Sequence, residues 1–401
     1  MKYMNLIWLV ALVAASCHKP PAAVQDQPPA APATPTQANS TQQEAQKAAR
    51  ADGLLRQGEG YASSGDYDKA LECFRAAVRA DPFSGPANLA LGRELLRHGE
   101  LDDAESALSQ ALRMDGNLPG AMVAMGDVYA AKDLWAQAEA YYRSALSGDP
   151  KDSEAGRKVG LALAQQGKME EAVEVLKAAL AVQPGAAEVL SDLGLVYSMQ
   201  GRRDEAIAAY KEALASAPDV AETHARLGAA LVDAGRIEEA EAEFDEALRL
   251  DGKYSAARVG LGRVKLERGE TEQAAEAFRQ AVDLDRQSVQ AHYYLGQALE
   301  RLGKTEEAAA EYERASQIDD SSVDAPLALG KLLASQGKYE EADKYFYTSV
   351  QRDGDSAEAR LAHGKNLARL GRRDDARKHL QKALELDPNL AEARKALDEL
   401  K

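Results

Sequence analysis

Large apolar, small and polar residues return at fixed intervals along most of this chain. From Ala51 to Leu390 the pattern repeats every 34 residues, in ten copies without insertion or deletion. Position 20 of the copy is alanine throughout, from Ala70 to Ala376. Position 24 is always large and apolar: Phe74, Leu108, Tyr142, Leu176, Tyr210, Phe244, Phe278, Tyr312, Phe346 and Leu380. Position 27 is alanine in nine copies and Ser349 in the other. Spacings of four and three place these positions on one face of a helix. Position 8, on a preceding helical run, is glycine in all ten copies, from Gly58 to Gly364. The pattern predicts two helices of about 12 to 14 residues per copy. Glycine and alanine let their backbones approach, and the large residue fills the space beside them.

Punctuation agrees with this division. Glycine at position 15, in nine copies from Gly65 to Gly371, predicts a left-handed stop between the helices; Asp133 is the exception. Proline at position 32 (Pro82, Pro150, Pro184, Pro218, Pro388) predicts the end of the second helix. Asp115-Gly116, Asp251-Gly252 and Asp353-Gly354 serve that purpose elsewhere. After the last copy, Ala393, Leu397 and Leu400 share one helical face, so residues 391–401 read as a capping helix.

Composition narrows the class. Of 401 residues 45% are hydrophobic, enough to bury a core, but only five are Phe and two Trp, a mix that favours helix over sheet. A formal charge of -16 argues against a nucleic-acid-coating protein. Two cysteines make no disulfide framework.

The 34-residue unit resembles the tetratricopeptide repeat (TPR). Departures are small: the family's tryptophan near position 4 is replaced by Leu54, Asn88, Met122 and Gly156 in the first copies. Gln57 and His363 replace the apolar residue at position 7 in the two end copies, where a solenoid is expected to meet solvent. The resemblance implies an all-α fold, a right-handed α-solenoid of ten helix-turn-helix TPR units over 51–390 with a concave groove.

The N-terminal region reads differently. Lys2 precedes an apolar stretch from Leu6 to Ala15, too short for the ~20 residues of a spanning helix, so residues 1–16 read as a signal peptide. Ala14, Ala15 and Ser16 lead into Cys17, which resembles the lipobox of bacterial lipoproteins; Ala14 stands where leucine is commoner. That likeness implies lipidation of Cys17 and a membrane anchor. His18 after it resembles an outer-membrane address, facing the periplasm. Residues 17–41 hold six prolines among Ala, Gln and Thr and read as a disordered tether, and 42–50 as a helical lead-in.

In the family, the groove is lined by the first helix at positions 2, 5, 9, 12 and 13. Position 5 is apolar toward both ends (Leu55, Leu89, Val123; Val259, Tyr293, Leu327, Leu361) but holds Arg157, Ser191 and Ala225 between them. Arg93, Arg97, Arg263 and Arg301 stand at positions 9 and 13. Leucines rimmed by arginine suit a protein or peptide with apolar anchors and acidic neighbours, though some of these leucines are equally suited to packing against the next repeat. No copy pairs lysine at position 5 with asparagine at position 9, the family's carboxylate clamp, and no asparagine ladder occupies position 6.

Catalytic patterns are missing. Six histidines show no metal spacing, and there is no His-Glu-x-x-His or Cys-x-x-Cys motif. Gly303-Lys304-Thr305 lacks the glycine five residues earlier that a phosphate loop needs, since Ala298 stands there. Cys73 reads as a packing residue. No enzyme activity, metal, cofactor or small-molecule substrate is expected. The basic run Arg369, Arg372, Arg373, Arg377, Lys378 and Lys382 suits an acidic partner or a solvated face. The reading is a lipid-anchored, exported scaffold that binds partners in its groove, for envelope assembly, pilus or secretin work, or polysaccharide export. The alternatives are a scaffold for peptidoglycan-modifying enzymes and a non-catalytic subunit of a transferase complex.

Overall fold

Helix-forming runs cut by glycine stops give, in a computed structural model describing residues 35–116 and 118–400, helices and no strand among the described residues. The first pairs are α1 (Pro35–Ser63) with α2 (Tyr67–Ala80), α3 (Gly85–Arg97) with α4 (Leu101–Met114), and α5 (Pro119–Ala131) with α6 (Trp135–Gly148). The middle of the chain holds α7 (Ser153–Gln165) with α8 (Met169–Val182), α9 (Ala187–Met199) with α10 (Arg203–Ser216), and α11 (Ala221–Asp233) with α12 (Ile237–Leu250). Then come α13 (Ser255–Glu267) with α14 (Thr271–Leu284), α15 (Val289–Arg301) with α16 (Thr305–Ile318), and α17 (Asp324–Ser335) with α18 (Tyr339–Arg352). The last pair is α19 (Ala357–Arg369) with α20 (Arg373–Leu386), followed by the single α21 (Ala391–Asp398). Each pair packs on the next, giving an α-solenoid of ten helix pairs.

The turn at position 15 takes the expected left-handed backbone in every copy, and Asp133 adopts it too, at φ 57°. Aspartate tolerates that region better than most side chains. Position 8 is glycine for a reason visible at the α11–α12 contact: a Cβ on Gly228 would lie 2.8 Å from the ring of Phe244. Gly260 of the next repeat faces the same ring, so Phe244 seals a contact within one repeat and between two. Serine or aspartate at position 34 caps four first helices, accepting from the amides of Ala87, Ala155, Ala291 and Ala359.

Position 4 has a role that the missing tryptophan hid. Asn88 Nδ2 donates to the Pro82 carbonyl (3.0 Å), His224 Nε2 to Pro218 (2.8 Å) and Arg360 Nε to Gly354 (2.9 Å). In each case a donor on a first helix closes the loop six residues before it.

Two junctions have neither proline nor an Asp-Gly pair at position 32, Arg286 before α15 and Asp320 before α17, and the second is closed by side chains. Arg352 Nη1 donates to the Ser322 carbonyl at 2.7 Å, and its Nη2 to the Ser316 carbonyl at 3.0 Å. Ser349, the one exception at position 27, is fully buried and donates to the Val323 carbonyl at 3.2 Å. Both residues supply hydrogen bonds that alanine could not.

Three expectations need correction or placement. Helix α1 begins at Pro35, inside the stretch read as a tether; proline is tolerated in a first helical turn, and no proline follows it until Pro82. His363 does not meet solvent: it is buried, because α20 covers it with His379, the two ring centroids 4.3 Å apart. Residues 1–34, with Cys17, lie outside the described residues. In α21, Ala393 is buried against the last pair, as is Leu400 just beyond it.

Candidate peptide-binding groove

Successive first helices lie side by side, and the residues they turn to one surface recur at positions 2, 5, 6, 9, 12 and 13. Where α15, α17 and α19 meet, these side chains line a concavity of about 430 Å3 that includes Tyr293, Gln297, Arg301, Leu327, Lys331 and Glu358. Tyr293 is half-buried, edge-on to Tyr294 (centroids 5.4 Å apart) and tilted against Tyr312. Tyr312 donates to Glu300 at 2.8 Å; burial and that carboxylate push its phenol well above the ordinary range. Arg301 is exposed and donates only a long bond, 3.4 Å, to the Leu266 carbonyl. Its charge therefore faces the concavity with no carboxylate bound to it.

The other residues read as groove-lining divide. Leu55, Leu89 and Val123 are half-buried and lean on the core, leaving an edge to the surface. Val259, Leu327 and Leu361 are buried in the cores between helices, which removes Val259 and Leu361 as anchors. At position 5 a side chain sits between two first helices, and a large aliphatic one there is taken up by packing. Only an edge of Leu327 reaches the concavity. Arg93 donates to the Gly120 carbonyl (3.3 Å), Arg97 lies over Tyr67, and Arg263 pairs with Asp233 at 2.7 Å. So the arginine rim is partly spent on the protein's own acceptors.

The central repeats are built differently. Asp192 is buried between two guanidiniums, Arg157 at 2.6 Å and Arg226 at 3.2 Å, each from a neighbouring repeat. Arg157 also holds Glu154 (2.6 Å), whose carboxyl lies below its usual range chiefly because of that bond. Lys158 and the Tyr142 hydroxyl both donate to Asp127 at 2.7 Å. Ion pairs thus tie repeats three to six together along the inner face. Beside them, at position 9, stand Leu161 and Leu195, only partly buried and outside the core clusters. At position 9 sequence reasoning singled out only the arginines; the leucines at the same place in repeats four and five were there to be read.

Two further groups came together only in three dimensions. His363 Nε2 bonds Asp343 at 3.0 Å, and Asp343 also pairs with Arg372. Burial, with His363 and Arg360 close by, lowers the His379 pKa to about 4, and burial lowers that of His363 as well. Most of the basic run on α20 is paired locally, Arg377 with Asp374 and Lys382 with Glu385. Among the described residues no group of three or more ligating side chains is placed to hold a metal, and no helix is long and apolar enough to cross a membrane.

Comparison with known proteins gives the repeat its family. Tetratricopeptide repeat models match residues 55–119, 265–332 and 333–400. The chain is a tetratricopeptide repeat protein. Residues 118–292, overlapping two of those matches, fit the model of the cilia and flagella-associated protein 70 C-terminal domain. Among solved structures, the APC/C hetero-tetramer Cut9–Hcn1 is similar at 16% identity, over 87% of this chain and 76% of that one, with a TM-score of 0.56. A tetratricopeptide repeat protein from Parabacteroides merdae is similar at 19% identity, over 62% of this chain and 99% of that one, with a TM-score of 0.53. At these identities the TPR fold is what is shared. No curated protein matches the sequence.

Proposed function

We propose that this TPR protein is a non-catalytic, lipid-anchored and exported adaptor that holds protein partners along the inner face of its solenoid. The observation that carries the binding role is the concavity between α15, α17 and α19. It combines a half-buried tyrosine with a guanidinium that is in no ion pair among the described residues, with Glu300, Asp324 and Glu358 also in its lining. An aromatic anchor beside an accessible charge is how short protein segments are gripped. Anchoring rests on Cys17 directly after Ala14, Ala15 and Ser16; several acyl chains on one residue hold a protein far more firmly than one. Envelope assembly, including pilus, secretin or polysaccharide export machinery, is the setting that such an anchor suits.

The test is a crosslinking pull-down from native membranes, comparing the intact chain with Cys17→Ala by fractionation and mass spectrometry. The adaptor reading predicts a membrane-bound wild type that brings down envelope-assembly subunits and a soluble variant. Two soluble forms that bring down cytoplasmic proteins would remove the anchor.

A further inference from the structure

The inner face of repeats four to six carries a second surface that the arginine-rimmed reading does not describe. Leu161 on α7 and Leu195 on α9 occupy the same position 34 residues apart, only partly buried and outside the core clusters. Met199, one turn beyond Leu195, is 47% exposed. Ala229, at the equivalent place on α11, packs against the core instead and ends the stripe. Position 2 of these same repeats is glutamate each time: Glu154, Glu188 and Glu222.

The nearby cations only partly offset those carboxylates: Lys158 is shared between Asp127 and Glu154, 2.7 and 3.7 Å away. Arg157 and Arg226 are both committed to the buried Asp192, and each also holds one glutamate, Glu154 or Glu222. Glu188, with 79% of its side chain exposed, is 3.8 Å from a guanidinium already bound twice over. On α7, α9 and α11, the helices that carry the stripe, five carboxylates (Glu154, Glu188, Asp192, Glu222, Asp233) stand against three cations (Arg157, Lys158, Arg226). An apolar stripe bordered by surplus carboxylate is complementary to lysine and arginine, and repels an acidic segment.

We propose that repeats four to six bind a basic protein segment with apolar anchors, its aliphatic or aromatic side chains on Leu161, Leu195 and Met199 and its cations toward Glu188 and its neighbours. This rests on the adaptor reading and specifies the chemistry of one partner. The ion pairs around Asp192 keep α7, α9 and α11 in fixed register, so the leucines are presented on a pre-formed surface.

The probe is a displayed library of random 12-residue peptides selected on the purified chain, with the strongest peptides then measured by fluorescence anisotropy. Peptides enriched on wild type should carry net positive charge and at least two large apolar residues. Their affinity should fall at least ten-fold for Leu161→Glu/Leu195→Glu and for Glu188→Lys, and weaken as salt is raised from 50 to 300 mM. Tyr293→Ala should leave it unchanged. Circular dichroism of the variants checks that helicity is retained; Met199→Glu, at an exposed site, replaces the double variant should that one lose helix. Acidic enriched peptides, or peptides bound equally by the leucine variants, would overturn the proposal. Peptides lost only with Tyr293→Ala would keep the groove reading and discard the central site, and no enrichment on any form would discard both.

Discussion

Repeats four to six and repeats eight to nine use one backbone to present opposite surfaces. In the centre, positions 5 and 6 hold the Arg157–Asp192–Arg226 ion pairs, and leucine stands at position 9. Toward the C-terminus, Tyr293 and Leu327 are at position 5, and Lys331 is at position 9. The apolar residues have moved from position 9 to position 5, and Gln297 and Lys331 take position 9. Positions 8, 15, 20, 24 and 27 meet the sterics of the helix pair, and they scarcely vary. Positions 2, 5, 6 and 9 face the groove or a neighbouring first helix, where the helix pair demands no single residue type, so each repeat carries its own chemistry there. Specificity along the solenoid is therefore written in side chains that the repeat does not constrain.

The sharpest way to break the comparison is to attack the part both regions share. Gly228→Leu drives a side chain into Phe244, and overpacking of this kind should cost about 3 kcal/mol or more in denaturant unfolding. Wild-type stability in that variant would mean that the helix register is wrong. Next in size is Asp192→Ala, which leaves two guanidiniums facing each other across a buried gap; loss of about 3 kcal/mol is expected, read as a lower urea midpoint. Leu327→Ala and Leu195→Ala then separate the two stripes directly. The first empties a core site and should cost about 2–3 kcal/mol, whereas the second, only partly buried and outside the core clusters, should cost about half as much. Equal losses would mean that both leucines are core.

The smallest effect concerns acid. His379 and His363 are held below their ordinary pKa, so the unfolded chain takes up protons first as pH falls from about 6.5 toward about 4. Stability contributed by the neutral rings is complete above that window and is lost on descending through it. Asp343 and Asp375 favour the charged rings, while Arg360 and Arg372 oppose them. Hydrogen exchange should show α19 and α20 loosening before α9 and α11 between pH 7 and pH 4.5, by about 1 kcal/mol. His379→Gln should remove much of that difference; an unchanged profile would show that the pair is not its source.

Much of this was legible beforehand because it depends on local sterics. Glycine at position 15, and Asp133 in its place, announce a left-handed stop that few other residues enter easily. Glycine opposite a large residue sixteen positions later marks a close helix contact, and Gly228 with Phe244 shows it. The groove was less legible. Val259 and Leu361 look like anchors in sequence, and the structure buries both. Leu161 and Leu195 are the same kind of residue one helical turn further on, and remain only partly buried.

Periodicity alone determined the helices, their turns, their pairing and the number of repeats, since each of these is settled within some forty consecutive residues. Tertiary structure decided which aliphatic side chains the next helix covers, that His363 meets His379, and that Ser349 and Arg352 close the α16–α17 junction. Those outcomes depend on how one repeat leans on the next, through contacts between side chains that no single repeat contains.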